Sequence, residues 1–135
     1  MKKLLSVLVI CLLVFASACA ADETALWANA IYAEDTTIGE GARQIKVEVK
    51  AGDKMITVTV NTDCEYLAAA LTEHDFIEGY DSQYGLYVTA VNGIVADYDK
   101  DYHYWAIYQN GEMCLTGADK VAINNGDIIS FVYTK

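Results

Sequence analysis

The sequence predicts an α+β fold in which a mixed β-sheet packs on one helix, with additional β-hairpins. Residues 45–49 and 56–60 each alternate apolar with polar side chains, as half-buried strands do, and the turn-forming residues 51–54 join them. One stretch of good helix formers follows at residues 66–73, and from residue 86 onward only strand patterns and turn signals occur. A hairpin, one helix and then several strands are typical of a β-grasp-like sheet folded over its helix.

The helix has recognisable boundary signals. Thr62 and Glu65 have the spacing of a capping box, with Thr62 as the N-cap and Glu65 at the third helical position. Leu67 and Leu71 fall on one face at helical spacing, and Gly79 is a natural end. We therefore expect one helix of roughly three turns, close to the average length in globular proteins.

The later strands are separated by turn signals. They are predicted at residues 86–91, 94–96, 102–109, 112–115 and 128–133. Asn92-Gly93 is a strong signal for a two-residue hairpin turn, and Asn110-Gly111 closes the next long strand. Turns are also predicted at residues 97–101, 116–119 and 124–127.

The first 20 residues have the order of a secretory signal peptide. Lys2 and Lys3 precede an apolar run at residues 4–15, and small residues follow at 16–20. The run is shorter than the roughly 20 apolar residues that a membrane-spanning helix needs. The sequence therefore predicts a signal peptide over residues 1–20 and an extracytoplasmic mature protein.

Two cleavage patterns fit the end of this signal. Ser17-Ala18-Cys19 matches the last three positions of a lipobox, with Ala16 where Leu is usual, and lipidation would then fall on Cys19. Ordinary Ala-x-Ala cleavage also fits and would release a free secreted protein. Residues 21–43 show no sustained period and predict a tether, and residues 44–135 predict the folded domain.

The charge balance excludes one class of partner. Seven basic and 19 acidic residues remain once residues 1–20 are removed, which gives a net charge of −12. Such a surface repels phosphate backbones, so we expect no nucleic-acid partner. It also repels anionic lipid, so we expect contact with the membrane only through a lipid anchor.

Two cysteines, Cys64 and Cys114, lie in the predicted domain. In an exported protein a disulfide between them is one interpretation, and two buried thiols that pack as small apolar residues are the other. No Cys or His spacing suggests a zinc site.

An acidic motif resembles the start of a calcium loop. Asp97, Asp99 and Asp101 have the right spacing, but Tyr102 and Tyr108 occupy the positions where an EF-hand needs Gly and Glu. We interpret the motif as a solvated acidic turn and predict no metal site.

The two histidines have structural interpretations. His74 lies at the end of the predicted helix, where a cation suits the helix dipole, and His103 follows three aspartates with which it can pair. No serine or cysteine nucleophile stands in a recognisable catalytic setting. We therefore predict no catalytic residues and no enzyme activity.

Aromatic residues crowd the acidic turn and the strand after it. Alternation places Tyr102, Tyr104, Ala106 and Tyr108 on one face of the strand and Trp105 on the other. One face must be core. The other exposes amphipathic rings that either contact a ligand or pack as ordinary cross-strand pairs.

Six short motifs occur in order after residue 83. They are Tyr84-Gly85-Leu86-Tyr87-Val88, Val91-Asn92-Gly93, Tyr104-Trp105, Asn110-Gly111-Glu112, Thr116-Gly117-Ala118-Asp119 and Asn125-Gly126-Asp127. Together they resemble the DUF4430 family, also called the transcobalamin-like C-terminal domain, over about residue 43 to the end. The resemblance implies a domain similar to the β-domain of transcobalamin and intrinsic factor.

In those vitamin carriers a short strand that begins at a Tyr-Trp pair contacts the corrinoid. The matching positions imply ligand contacts by Tyr104, Trp105, Ala106, Ile107 and Tyr108. Ala106 replaces the glutamine of the carriers, and the carriers' helical domain is missing. The resemblance implies an exported envelope module that contacts a cobalamin-like ligand; the alternative is a structural or adhesive module for protein or cell-wall glycan.

Overall fold

The computed structural model describes residues 25–135. The predicted signal peptide, Cys19 and residues 21–24 lie outside this range. The elements are β1 (Thr36–Ile38), β2 (Arg43–Ala51), β3 (Lys54–Thr62), α1 (Leu67–Thr72), β4 (Ile77–Ser82), β5 (Gly85–Val91), β6 (Ile94–Val95), α2 (Tyr98–Asp101), β7 (Tyr104–Gln109), β8 (Glu112–Met113), a 3-10 turn (Ala118–Lys120) and β9 (Ile128–Thr134).

The larger sheet has six strands in the order β1-β3-β2-β9-β7-β8. Strands β2 and β3 form the predicted antiparallel hairpin. The last strand, β9, lies between β2 and β7, parallel to the first and antiparallel to the second. The sheet is therefore mixed, as the sequence predicts.

A smaller sheet has the order β4-β5-β6. Its β5–β6 turn is the predicted Asn92-Gly93 pair, and both residues have positive φ, as a type I′ turn requires. Strand β4 was not predicted, because Gly79 breaks its pattern and a bulge opposite Gly79 shifts its register.

One hydrophobic core joins both sheets and α1. It is built from the inward side chains of β2, β3, β5, β7 and β9, with Leu67 and Leu71 of the helix fully buried against them. The α+β, β-grasp-like class is confirmed.

The helix is shorter than predicted, and its start differs. Helix α1 has six residues, and its N-cap is Tyr66, which makes no side-chain cap bond. The Thr62 hydroxyl instead accepts a hydrogen bond from the Cys64 backbone N–H at 3.0 Å. The predicted capping box is therefore wrong, because Thr62 closes a local turn before the helix begins.

Residues 25–43, predicted to be a tether, are packed on the domain. Trp27 is buried, and its indole N–H donates to the Ala51 carbonyl at 3.0 Å. Strand β1 adds to β3 in parallel. The Asn92 side chain accepts from the Tyr32 N–H and donates to the Tyr32 carbonyl, both at 2.8 Å. The sequence did not predict these contacts, because each is made by a single residue or a short strand and leaves no periodic pattern of apolar residues.

Candidate ligand-binding site

Four tyrosines from four different elements converge on one cleft. They are Tyr80 of β4, Tyr87 of β5, Tyr98 of α2 and Tyr104 of β7, and we call the space between them the tyrosine cleft. Its volume is about 670 Å³, and Thr89, Val95, Ala96, Asp97 and Asp99 complete its lining. A volume of this size suits a small molecule.

The rings in the tyrosine cleft contact one another. Tyr80 and Tyr87 lie 5.2 Å apart between centroids, and Tyr98 meets Tyr104 edge to face at 6.4 Å. Burial raises the pKa of Tyr87, and the nearby Tyr80, Tyr98 and Tyr104 hydroxyls and the Asp99 carboxylate raise it further. The Tyr87 phenol therefore stays neutral and presents its ring face and hydroxyl group.

A second, smaller space of about 230 Å³ adjoins the tyrosine cleft and shares Tyr87 and Tyr104 with it. We call it the strand groove. It runs between β5 and β7, and its lining is Ser82, Tyr84, Leu86, Tyr87, Val88, Tyr104, Trp105, Ala106, Ile107, Met113, Cys114, Leu115, Thr116 and Gly117. Four consecutive residues of β7 line it, which indicates that the strand presents its backbone edge.

The register confirms that this edge of β7 is open. Strand β8 pairs only with Tyr108 and Gln109. The Cys114 N–H donates to the Ile107 carbonyl at 2.8 Å, so Ile107 turns its carbonyl away from β9. Because alternate residues of a strand point their backbone groups to the same side, the Trp105 N–H and carbonyl also point into the groove.

The facing edge of β5 is open in part, since the Thr89 carbonyl on it accepts from the Ala96 N–H at 2.8 Å. Strand β6 pairs only with Ala90 and Val91. Farther along, the Leu86 N–H donates to the Asp119 carboxylate at 2.7 Å. Gly117 lies so close to β5 that a Cβ there would stand 2.3 Å from the Leu86 nitrogen, so only glycine lets this loop close the end of the groove.

The structure divides the five predicted contact residues among three places. Tyr104 lines both spaces, and Ala106 lines the groove. Trp105 and Ile107 send their side chains into the core, and the Trp105 indole N–H donates to the Ile94 carbonyl at 3.0 Å. Tyr108 lines neither space. The Trp105 contribution to a ligand is therefore its backbone and not its ring.

The acidic motif forms a helical turn. The Asp97 carboxylate accepts from the Lys100 N–H at the start of α2. His103 Nδ1 lies 2.9 Å from Asp101 Oδ1, and hydrogen bonds from His103 hold the pKa of Asp101 below its usual value. His103 also stacks on Tyr133 at 4.4 Å. Within residues 25–135, no three His, Cys, Asp or Glu side chains cluster closely enough to hold a metal ion.

Of the two interpretations of Cys64 and Cys114, the structure has the unbonded one, with both cysteines free. The Cys64 thiol donates to a Glu73 carboxylate oxygen at 3.1 Å. A hydrogen bond with Thr62 lowers the pKa of Cys64, but Glu73, burial and Asp63 raise it more. Burial raises the pKa of Cys114, which faces the strand groove.

Two residues of the site carried little signal in the sequence. Tyr80 lies in β4, which was not predicted, and Tyr87 lies in a predicted strand whose faces could not be told apart. The Tyr-Gly-Leu-Tyr motif contained Tyr87 and could have drawn attention to it.

No helix of the described part is long and apolar enough to cross a membrane.

The described residues combine an aromatic cleft with an open strand edge on a mixed sheet that packs on α1, and binding modules share these features. The chain belongs to the DUF4430 family, a domain of unknown function, whose model matches residues 65–135. No curated protein matches the chain.

Two of the solved structures that are similar to the chain illustrate the likeness. A protein from Ruminococcus gnavus ATCC 29149, to which metal binding has been attributed, shares 29% identity with a TM-score of 0.66, over 70% of this chain and 98% of its own. Haptocorrin in complex with cobinamide (Cbi) shares 22% identity with a TM-score of 0.52, over 73% of this chain and 26% of its own. The transcobalamin-like fold is thus confirmed.

Proposed function

We propose that the protein is an exported, non-catalytic binding module of the cell envelope, whose strand groove holds the edge of a corrinoid-like ligand. The observation that carries the proposal is the open edge of β7, where residues 104–107 all line the groove. Residues 104–107 are also the positions that the family resemblance assigns to corrinoid contact.

The chemistry of the groove suits a flat ring with polar groups at its rim. Leu86, Ala106 and Met113 offer apolar surface, and Tyr87 and Tyr104 offer ring faces. The free Trp105 N–H and carbonyl can form hydrogen bonds with amide groups at the rim of the ligand. These bonds replace the polar contact that the vitamin carriers make through a glutamine at the position of Ala106. A groove of about 230 Å³ covers only part of such a ligand, so we expect modest affinity unless a partner covers the other face.

Titration of the purified protein with cobinamide tests the proposal. We expect binding that weakens about tenfold in Tyr104→Ala, because the variant removes a ring shared by both spaces. Tyr108→Ala is the matched control, since Tyr108 lies on the same strand outside both spaces. Absence of calorimetric heat at high micromolar cobinamide would refute corrinoid binding. Equal weakening of cobinamide binding by Tyr104→Ala and Tyr108→Ala would refute its assignment to the strand groove.

The envelope location is supported by the order of residues 1–20. We propose a lipid on Cys19, and intact-mass analysis of the membrane fraction tests it. An unlipidated chain that begins at Ala21 would show free secretion instead.

A second candidate function is favoured by the two open edges. An extended peptide of a surface protein could add as a strand between β5 and β7, since both edges carry unpaired backbone groups. Such a partner would bind without cobinamide. Protection of the Trp105 amide from hydrogen exchange by a bound peptide, with no response to cobinamide, would select this candidate.

A further inference from the structure

The tyrosine cleft has a charge that the proposed function does not use. Two carboxylates, Asp97 and Asp99, stand on its rim, and none of its nine lining residues is basic. Asp97 is already engaged by the Lys100 N–H as the cap of α2. Asp99 makes no ion pair with another described residue, so its charge faces the cleft without a counter-ion.

The walls of the cleft also favour a positively charged ligand. Tyrosine rings carry negative potential on their faces and attract cations, most strongly those that lose little hydration. Tyr80 and Tyr87 are tilted by 40° to each other, and Tyr98 and Tyr104 stand at 66°, so the four rings form walls in several directions. Val95 and Ala96 add apolar surface.

We propose that the tyrosine cleft binds an organic cation, a quaternary or alkylated ammonium group held against the Tyr80, Tyr87, Tyr98 and Tyr104 rings with Asp99 as its counter-charge. The site shares Tyr87 and Tyr104 with the strand groove, but Tyr80, Tyr98 and Asp99 line the cleft alone, so the proposal does not depend on corrinoid binding.

A hard metal ion is a poorer match to this lining. Calcium takes six to eight oxygen ligands, whereas the cleft offers one unengaged carboxylate among phenols and aliphatic groups. An alkylammonium needs no such shell, because its methyl groups contact rings and aliphatic side chains directly.

Choline and its neutral isostere 3,3-dimethylbutan-1-ol are the matched probes, because they share a shape and differ in charge. We expect the purified protein to bind choline about tenfold more tightly than the alcohol, as cation–π contacts and one carboxylate imply. Equal affinity for the two probes, or no choline binding at millimolar concentration, would overturn the proposal.

Variants at two positions of the cleft, each with a control, place the site. Asp99→Asn should weaken choline binding about fivefold, whereas Glu40→Gln, which removes one charge from an exposed residue before the opposite end of β2, should not. Tyr98→Leu should weaken binding, and Tyr98→Phe should keep it, because the ring face is retained; Tyr98 is half exposed, so neither change should unfold the protein. Choline binding unaltered by Asp99→Asn and Tyr98→Leu would place it elsewhere and refute the assignment.

The two proposals can fail independently. Cobinamide titration of Asp99→Asn reports on the strand groove. Choline titration of Met113→Ala, which changes an exposed residue that lines the groove but not the cleft, reports on the tyrosine cleft. Loss of choline selectivity with cobinamide binding intact would overturn the cation site alone.

Discussion

Replacement of Asn92 by alanine should detach the segment before β1 and destabilise the fold. The Asn92 side chain is fully buried and makes two hydrogen bonds of 2.8 Å with the backbone of Tyr32. The Asn92 carbonyl also accepts from the Ile31 N–H at 2.9 Å. One residue thus links residues 31–32 to the β5–β6 turn.

The cost follows from these contacts. Two lost hydrogen bonds cost about 1 kcal/mol each, and the stranded Tyr32 groups add about 1 kcal/mol more. Asn92 has φ of 55°, and alanine in the left-handed region costs about 1 kcal/mol. We therefore expect Asn92→Ala to lower the free energy of unfolding by about 3–4 kcal/mol, a large share of the stability of a small domain.

Urea unfolding of the purified protein measures this loss, with Asn92→Gly as the control. Glycine removes the same hydrogen bonds but tolerates the positive φ, so it should recover about 1 kcal/mol. Limited proteolysis should also cut Asn92→Ala before residue 36 more rapidly than the parent protein. A loss below about 1 kcal/mol in Asn92→Ala would refute the inference that this side chain holds the segment.

Two further predictions concern the Asp127 carboxylate and the two free thiols. Burial alone would raise the pKa of Asp127, but hydrogen bonds from Asn110, Asn124 and Gln109 lower it below its usual value. Asp127 therefore stabilises the fold above its unfolded-state pKa of about 3.9, and the contribution is lost as pH falls through the lower folded-state value. The stability gap between the parent protein and Asp127→Asn should be full at pH 7 and shrink below about pH 4; a gap independent of pH would contradict this. Cys64 and Cys114 should both alkylate under denaturing conditions without reductant, as mass spectrometry can show, and recovery of a Cys64–Cys114 cross-linked peptide would contradict the free thiols.

The sequence predicted the elements that repeat a pattern. Strands β2 and β3 alternate over nine residues each, and the Asn-Gly turns require positive φ, so local physics was sufficient. The β4 strand and residues 25–38 were missed because their contacts are single and long-range. Trp27 reaches Ala51 and Tyr32 reaches Asn92, and no local period reports such contacts.

The site was predicted in part for a similar reason. The β7 aromatics were visible as a cluster, and Tyr104 does line the cleft. Alternation could not decide which face was core, and Trp105 proved to be inward. Tyr80 and Tyr87 come to Tyr104 only through the meeting of two sheets, which depends on packing and not on sequence spacing.

The central place of β9 has a consequence for when the protein can fold. Residues 128–134 join the β2–β3 hairpin to β7, so the six-stranded sheet remains two separate pieces until this segment is available. Pairing of β2 with β9 spans about 80 residues of chain, and long-range pairing of this kind is slow. A chain synthesised from its N-terminus therefore cannot complete this sheet until its last strand is available.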